Sequence, residues 1–124
     1  MITEDYCSFE LSKLLKEKGF DGECIGCYWD SKKTFDINYE SLSYSDGDLR
    51  DEVILAPTHQ MAMKWLRERH VIIVIAPAYF NGEQCVSWDI DIWIDDNYKH
   101  LFEDYPTYEE AVEAALKYCL TKLI

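Results

Sequence analysis

Residues 71–95 read VIIVIAPAYFNGEQCVSWDIDIWID, and this stretch decides the fold. Val71 to Ile75 are five β-branched residues in a row. A strand apolar on both sides is covered on both faces or lies in mid-sheet. Pro77 is expected to end it. Asn81-Gly82 is the strongest hairpin signal in the chain, because the mirror-image two-residue turn needs positive φ at both positions. The partner strand, Cys85 to Asp95, alternates throughout. Val86, Trp88, Ile90, Ile92 and Ile94 point one way; Cys85, Ser87, Asp89, Asp91, Trp93 and Asp95 point the other.

Helices are expected before and after this hairpin in the chain. Pro57-Thr58 opens one, with Thr58 as cap and Met61, Ala62, Trp65 and Leu66 on its apolar face. Thr107 and Glu110 form a capping box for the last, whose stripe is Tyr108, Ala111, Val112, Ala115, Leu116, Cys119, Leu120 and Leu123. Upstream, Thr3 is expected to cap a first helix running to about Lys18 through Cys7, Leu11, Leu14 and Leu15. Gly19 stands at its left-handed end. Cys24 to Asp30 and Thr34 to Tyr39 read as a second hairpin. Ile25, Cys27 and Trp29 share one face of the first strand, and Phe35, Ile37 and Tyr39 one face of the second. Ser41 to Asp51 reads as a loop, and Val53-Ile54-Leu55 as a short strand or a buried approach to the next helix. The expectation is one α+β domain over residues 1–124. It is a two-layer sandwich, a mostly antiparallel sheet with three helices on one face, in the order α-β-β-α-β-β-α.

The segments Phe9 to Phe20, Ala56 to Glu68 and Thr107 to Cys119 resemble a set of short proteins from gut bacteria and their phages or mobile elements. The function of that set is unknown. The resemblance implies a cytoplasmic, prophage-linked setting and carries over no catalytic residue.

With 24 acidic and 12 basic residues, the formal charge is −12. That balance argues against direct phosphate or anionic-membrane binding, which needs concentrated positive charge. The acidic start lacks the basic, then apolar, pattern of a secretory signal. Val71 to Ala78 is far too short to span a bilayer. Five cysteines, an odd number, suit reduced thiols in a cytoplasm.

Motifs for chemistry are sparse. Cys24-Ile25-Gly26-Cys27 has zinc-knuckle or redox spacing, but no second pair exists to complete four ligands. The reading is therefore a buried Cys27 and an incidental Cys24, with no zinc and no cofactor. Asp89 and Asp91 share a strand face about 6.6 Å apart at ~3.3 Å per residue. That separation suits a carboxylate pair at a glycosidic bond or a hard cation, or merely a wet strand face. His59, His70 and His100 are scattered, and sequence does not say whether any meets a cysteine.

The leading expectation is a non-enzymatic accessory protein that binds another protein or a second copy of itself through the open face of the sheet. Tyr28, Asp36, Asp89, Asp91, Trp93 and Asp95 are assigned to that face. Either Ile72 and Val74 or Val71, Ile73 and Ile75 must emerge beside Trp93, the anchor. The competing cover is the chain itself, with Ser41 to Asp51 or the 97–106 segment folding over the strip. Two other classes stand beside this one: an acidic decoy that imitates DNA phosphates, and a small enzyme or metal-binder using Asp89 and Asp91.

Overall fold

The computed structural model describes residues 2–29, 33–47 and 49–124, with the backbone alone described at Phe102 and Glu103. Helix α1 (Phe9–Glu17) is followed by strands β1 (Cys24–Trp29), β2 (Thr34–Leu42) and β3 (Val53–Ala56). Helix α2 (His59–Arg67) leads to β4 (Val71–Asn81), β5 (Gln84–Ile94) and β6 (Asn97–Tyr105). Helix α3 (Tyr108–Tyr118) follows, and a wider π-type turn, Cys119–Leu123, prolongs it. The fold is thus α+β with antiparallel sheets and three helices. The expected order is embedded in it, with β3 and β6 as further strands. The strands form two three-stranded sheets, β2-β1-β3 and β4-β5-β6, where one sheet was expected.

Thr58 and Thr107 cap their helices as the sequence indicates. Their hydroxyls accept from the Met61 and Glu110 amides at 3.2 and 3.1 Å. Helix α1 starts later than expected. Ser8, not Thr3, caps it by accepting from the Leu11 amide. Residues 5–7 are drawn instead into extended pairing with 57–59. The Cys7 amide donates to the Pro57 carbonyl, and the His59 amide to that of Asp5. Cys7 therefore precedes the helix rather than lying in its stripe. Gly19 takes the left-handed conformation after α1, at φ +88°.

Pro77 does not end β4. The strand lies at the edge of its sheet, where a residue without an N–H is tolerated, and it continues to Asn81. Near this end the register slips between Pro77 and Tyr79 and again between Tyr79 and Phe80. Here the alternation of β5 fails: Val86 is exposed and Ser87 buried. Farther along it holds, and Ile90 and Ile92 are fully buried.

The first sheet departs most from expectation. Phe35, Ile37 and Tyr39 were assigned to the helix side, but all three are exposed. Strand β2 lies at the edge of its sheet, and Phe35 rests on the Tyr6 and Tyr28 rings instead. In β1 a register shift between Cys24 and Gly26 breaks the period-two pattern. Cys24, Gly26 and Cys27 are buried, while Ile25 and Trp29 are partly exposed. Gly26 is required by close approach. A Cβ there would stand 2.8 Å from both the Ala56 carbonyl oxygen and the Tyr6 ring.

One apolar cluster joins both sheets and all three helices. Leu15, Leu55, Leu66, Ile92, Leu116 and Leu120 lie at its centre. Helix α3 touches α1, α2 and every strand of the second sheet, and its expected stripe is buried from Ala111 to Leu120, with Tyr108 and Leu123 partly buried at its ends. Trp88 meets Tyr108 edge-on, with 5.3 Å between ring centroids. Among the described residues no helix is long and apolar enough to cross a membrane.

Candidate functional site

The antiparallel register of the second sheet builds a small grid on one face. Ile72, Trp93 and Tyr98 lie side by side across β4, β5 and β6; Val74, Asp91 and His100 form the next row. Side chains alternate along a strand, so this is the face opposite buried Val71, Ile73, Ile90 and Ile92. It is wet and apolar together: Ile72 is 46% exposed, Val74 43% and Trp93 43%. The Trp93 and Tyr98 rings meet at a tilt, with centroids 4.6 Å apart. Segment 97–106, which was weighed as a cover for this face, supplies strand β6 and widens it.

Asp91 is held within the grid. The Tyr98 hydroxyl and His100 Nδ1 meet the same carboxylate oxygen at 2.6 and 2.8 Å. These two bonds, that from Tyr98 foremost, hold the Asp91 carboxyl below the usual aspartate range. The carboxylate in turn pushes the Tyr98 phenol up. Asp91 thus shares one carboxylate oxygen between two neighbours on β6.

Of the six residues assigned to one open face, Asp89, Asp91 and Trp93 come together. Asp95 sits in the β5–β6 turn at φ +53°, not on a strand face. Tyr28 and Asp36 belong to the other sheet, and on opposite sides of it. Tyr28 pairs with Phe35, so the next residue, Asp36, points away. The Tyr28 hydroxyl donates to the Cys7 carbonyl at 2.8 Å, and its ring lies between Phe9 and Phe35. The Asp36 carboxylate accepts from the Ile37 amide.

Between the helices, a second group gathers that has no sequence motif. Cys7 stands just before α1, His59 is the first residue of α2, and Glu113 lies in α3. One donor atom from each lies within 4.8 Å of the other two. His59 Nε2 is 2.7 Å from Glu113 Oε2, which also accepts from the Ser8 amide at 3.1 Å. Burial alone would raise the Glu113 carboxyl, but the bonds from His59 and Ser8 outweigh it and pull the group below the usual range. Burial pushes the Cys7 thiol far up, and the nearby Glu113 charge adds to this. Cys7 in this state is a protonated thiol, not a nucleophile. His59 and Glu113 are 54 positions apart in the chain, so no spacing rule brings them together.

All five cysteines are free. Cys24, read as incidental, is buried in the core, and burial pushes its thiol to about 12. The Cys24/Cys27 pair therefore lacks the lowered thiol pKa of a redox motif. Comparison with known proteins finds no match to a family model, a curated protein or a solved structure.

Proposed function

We propose that this chain is a non-enzymatic protein-binding module that works through the outer face of the second sheet, with Trp93 as anchor. The observation that carries the reading is the row Ile72–Trp93–Tyr98, half exposed on a rigid three-stranded platform and bordered by Asp89 and Asp91. An apolar strip with a charged rim is the usual anatomy of a contact surface. The reading takes the three helices as one layer, which leaves each sheet an inner and an outer face. The acidity of the chain selects the partner's chemistry. A second copy would set like carboxylates against each other, whereas a protein with an apolar pocket rimmed by lysine or arginine meets both features. The resemblance to short phage-linked proteins supports a cytoplasmic accessory role for a mobile element.

The test is capture from the native host's lysate by the parent chain and by Trp93→Asp, with a photo-crosslinking residue at position 98 to locate the contact. A stoichiometric complex is expected that crosslinks at 98, tolerates raised salt and is lost in Trp93→Asp while the melting midpoint holds. Steep loss with salt would favour the decoy reading. Light scattering at dimer mass would favour self-association. An unchanged partner set in Trp93→Asp would remove the face from consideration.

A further inference from the structure

We infer that Cys7, His59 and Glu113 form a binding site for a zinc-class divalent transition metal. Cys7 just before α1, His59 at the start of α2 and Glu113 in α3 present sulfur, nitrogen and oxygen donors within 4.8 Å of one another. Thiolate plus imidazole selects a borderline-soft ion over magnesium or calcium, which prefer oxygen alone. Zinc takes sulfur at about 2.3 Å and nitrogen or oxygen at about 2.0–2.2 Å, so tetrahedral ligation places its donors roughly 3.3–3.7 Å apart. The donor set is close to that spacing. It requires Glu113 and His59 to part by less than an ångström or so from their 2.7 Å bond, and Cys7 to close in.

Charge and access favour the same assignment. A divalent ion, one thiolate, one carboxylate and a neutral imidazole sum to zero, the least costly total for a buried position. Binding replaces the Cys7 S–H proton with the metal and releases that proton to solvent. Cys7 and His59 are buried, but Glu113 is half-buried and lines a cleft of about 610 Å³ between α1 and α3. Glu113 is thus the side of the site that faces solvent, where a water would complete the four ligands of a zinc ion. One outer partner is already set: the Ser8 amide holds the Glu113 carboxylate. Such a site ties the starts of α1 and α2 to the middle of α3, so metal would stabilise the fold by mass action.

The experiment is titration of chelator-stripped, phosphine-reduced protein with cobalt(II) and with zinc(II). One equivalent is expected to bind, with a sulfur-to-cobalt charge-transfer band and a melting midpoint that rises with zinc and saturates at one ion per chain. Cys7→Ser should abolish the band and weaken binding by more than the roughly 10–100-fold that losing an outer partner costs. Glu113→Gln, at a half-buried position, is expected to keep the fold and weaken zinc at least tenfold. The Cys24→Ala/Cys27→Ala chain should bind as the parent does. No uptake by the parent would overturn the assignment without recourse to any variant. So would a charge-transfer band that survives Cys7→Ser or disappears with the Cys24/Cys27 change.

Discussion

The two sheets differ in how far along the chain their strands find partners. In the second sheet β4, β5 and β6 form a meander joined by two-residue turns, Gly82-Glu83 and Asp95-Asp96, so each strand pairs with the next. In the first, β1 is central. It pairs with β2, the next strand in the chain, and with β3 only after the chain has run through β2 and the segment beyond it. Local pairing is specified by alternation and turn chemistry, which a sequence displays. Non-local pairing is specified by what packs where, which it does not. The difference is also one of covering: the whole second sheet is backed by α3, while α1 meets the first mainly at β3.

Replacing Leu116 with alanine strikes the backing of the second sheet and should have the largest effect. The side chain is fully buried against the sheet and the other helices, so about 2–5 kcal/mol should be lost. The measurement is the denaturant midpoint at unchanged slope. An unmoved midpoint would mean that this face of α3 is not core, and the asymmetry between the sheets would disappear.

Glycine sharpens the contrast. Gly26→Ala puts a methyl 2.8 Å from the Ala56 carbonyl and the Tyr6 ring. The carbonyl belongs to the paired backbone and has little freedom to retreat, so the cost should be ~1–3 kcal/mol. Gly82→Ala meets no atom within 4 Å and is strained only through its φ of +67°, at about 1–2 kcal/mol. Equal changes in amide-exchange protection across both sheets in the Gly26 variant would show that the first sheet does not open alone.

These residues also mark how much was legible. Gly82 was visible because its turn requirement is local. In the structure Gly82-Glu83 form the turn, and positive φ is needed at Gly82 alone. An apolar strip beside Trp93 was legible because five β-branched residues leave no polar side, but which of the two sets emerges, Ile72 and Val74, only the structure shows. Gly26 was invisible, since its constraint comes from Tyr6 and Ala56, neither a neighbour in sequence. The same holds for Cys7, His59 and Glu113: residues 5–7 pair with 57–59, and the packing of α3 against α1 and α2 brings in Glu113. Asp95 was misplaced because a strand's alternation says nothing of where it stops; an aspartate is among the few residues that accept positive φ in a turn.

A smaller effect is expected from Asp91 on the outer face of the second sheet. Its carboxyl is held below the ordinary value by Tyr98 and His100. A lowered folded pKa contributes stability that is fully present above the unfolded value, near 3.9, and is lost as pH falls through the folded one. The parent should therefore lose this contribution on acidification below about pH 4, and Tyr98→Phe should flatten that part of the profile. Identical acid limbs in thermal melts of the two chains would show that the Tyr98 bond adds nothing. The contribution is modest because the pair is partly solvated, and added salt weakens it further.

The smallest effect belongs to Ile37, and it tests the comparison most directly. Alternation along β2 assigns Ile37 to a core face beside Phe35 and Tyr39, and a buried isoleucine there would cost about 2–5 kcal/mol on truncation. In the structure Ile37 is 51% exposed on an edge strand and lies outside the apolar cluster. Burial, not hydrophobicity, sets the cost of removing a side chain. Ile37→Ser should thus shift stability by no more than about 0.5 kcal/mol, the range for surface substitutions. A serine also interrupts the exposed apolar row Phe35, Ile37 and Tyr39 of an edge strand, so the variant should aggregate no faster than the parent. Chemical denaturation reads the first expectation and light scattering at raised protein concentration the second. A loss near 2 kcal/mol would show that the first sheet is covered on this side after all. The outer face of β4-β5-β6 would then no longer be distinguished from it by exposure.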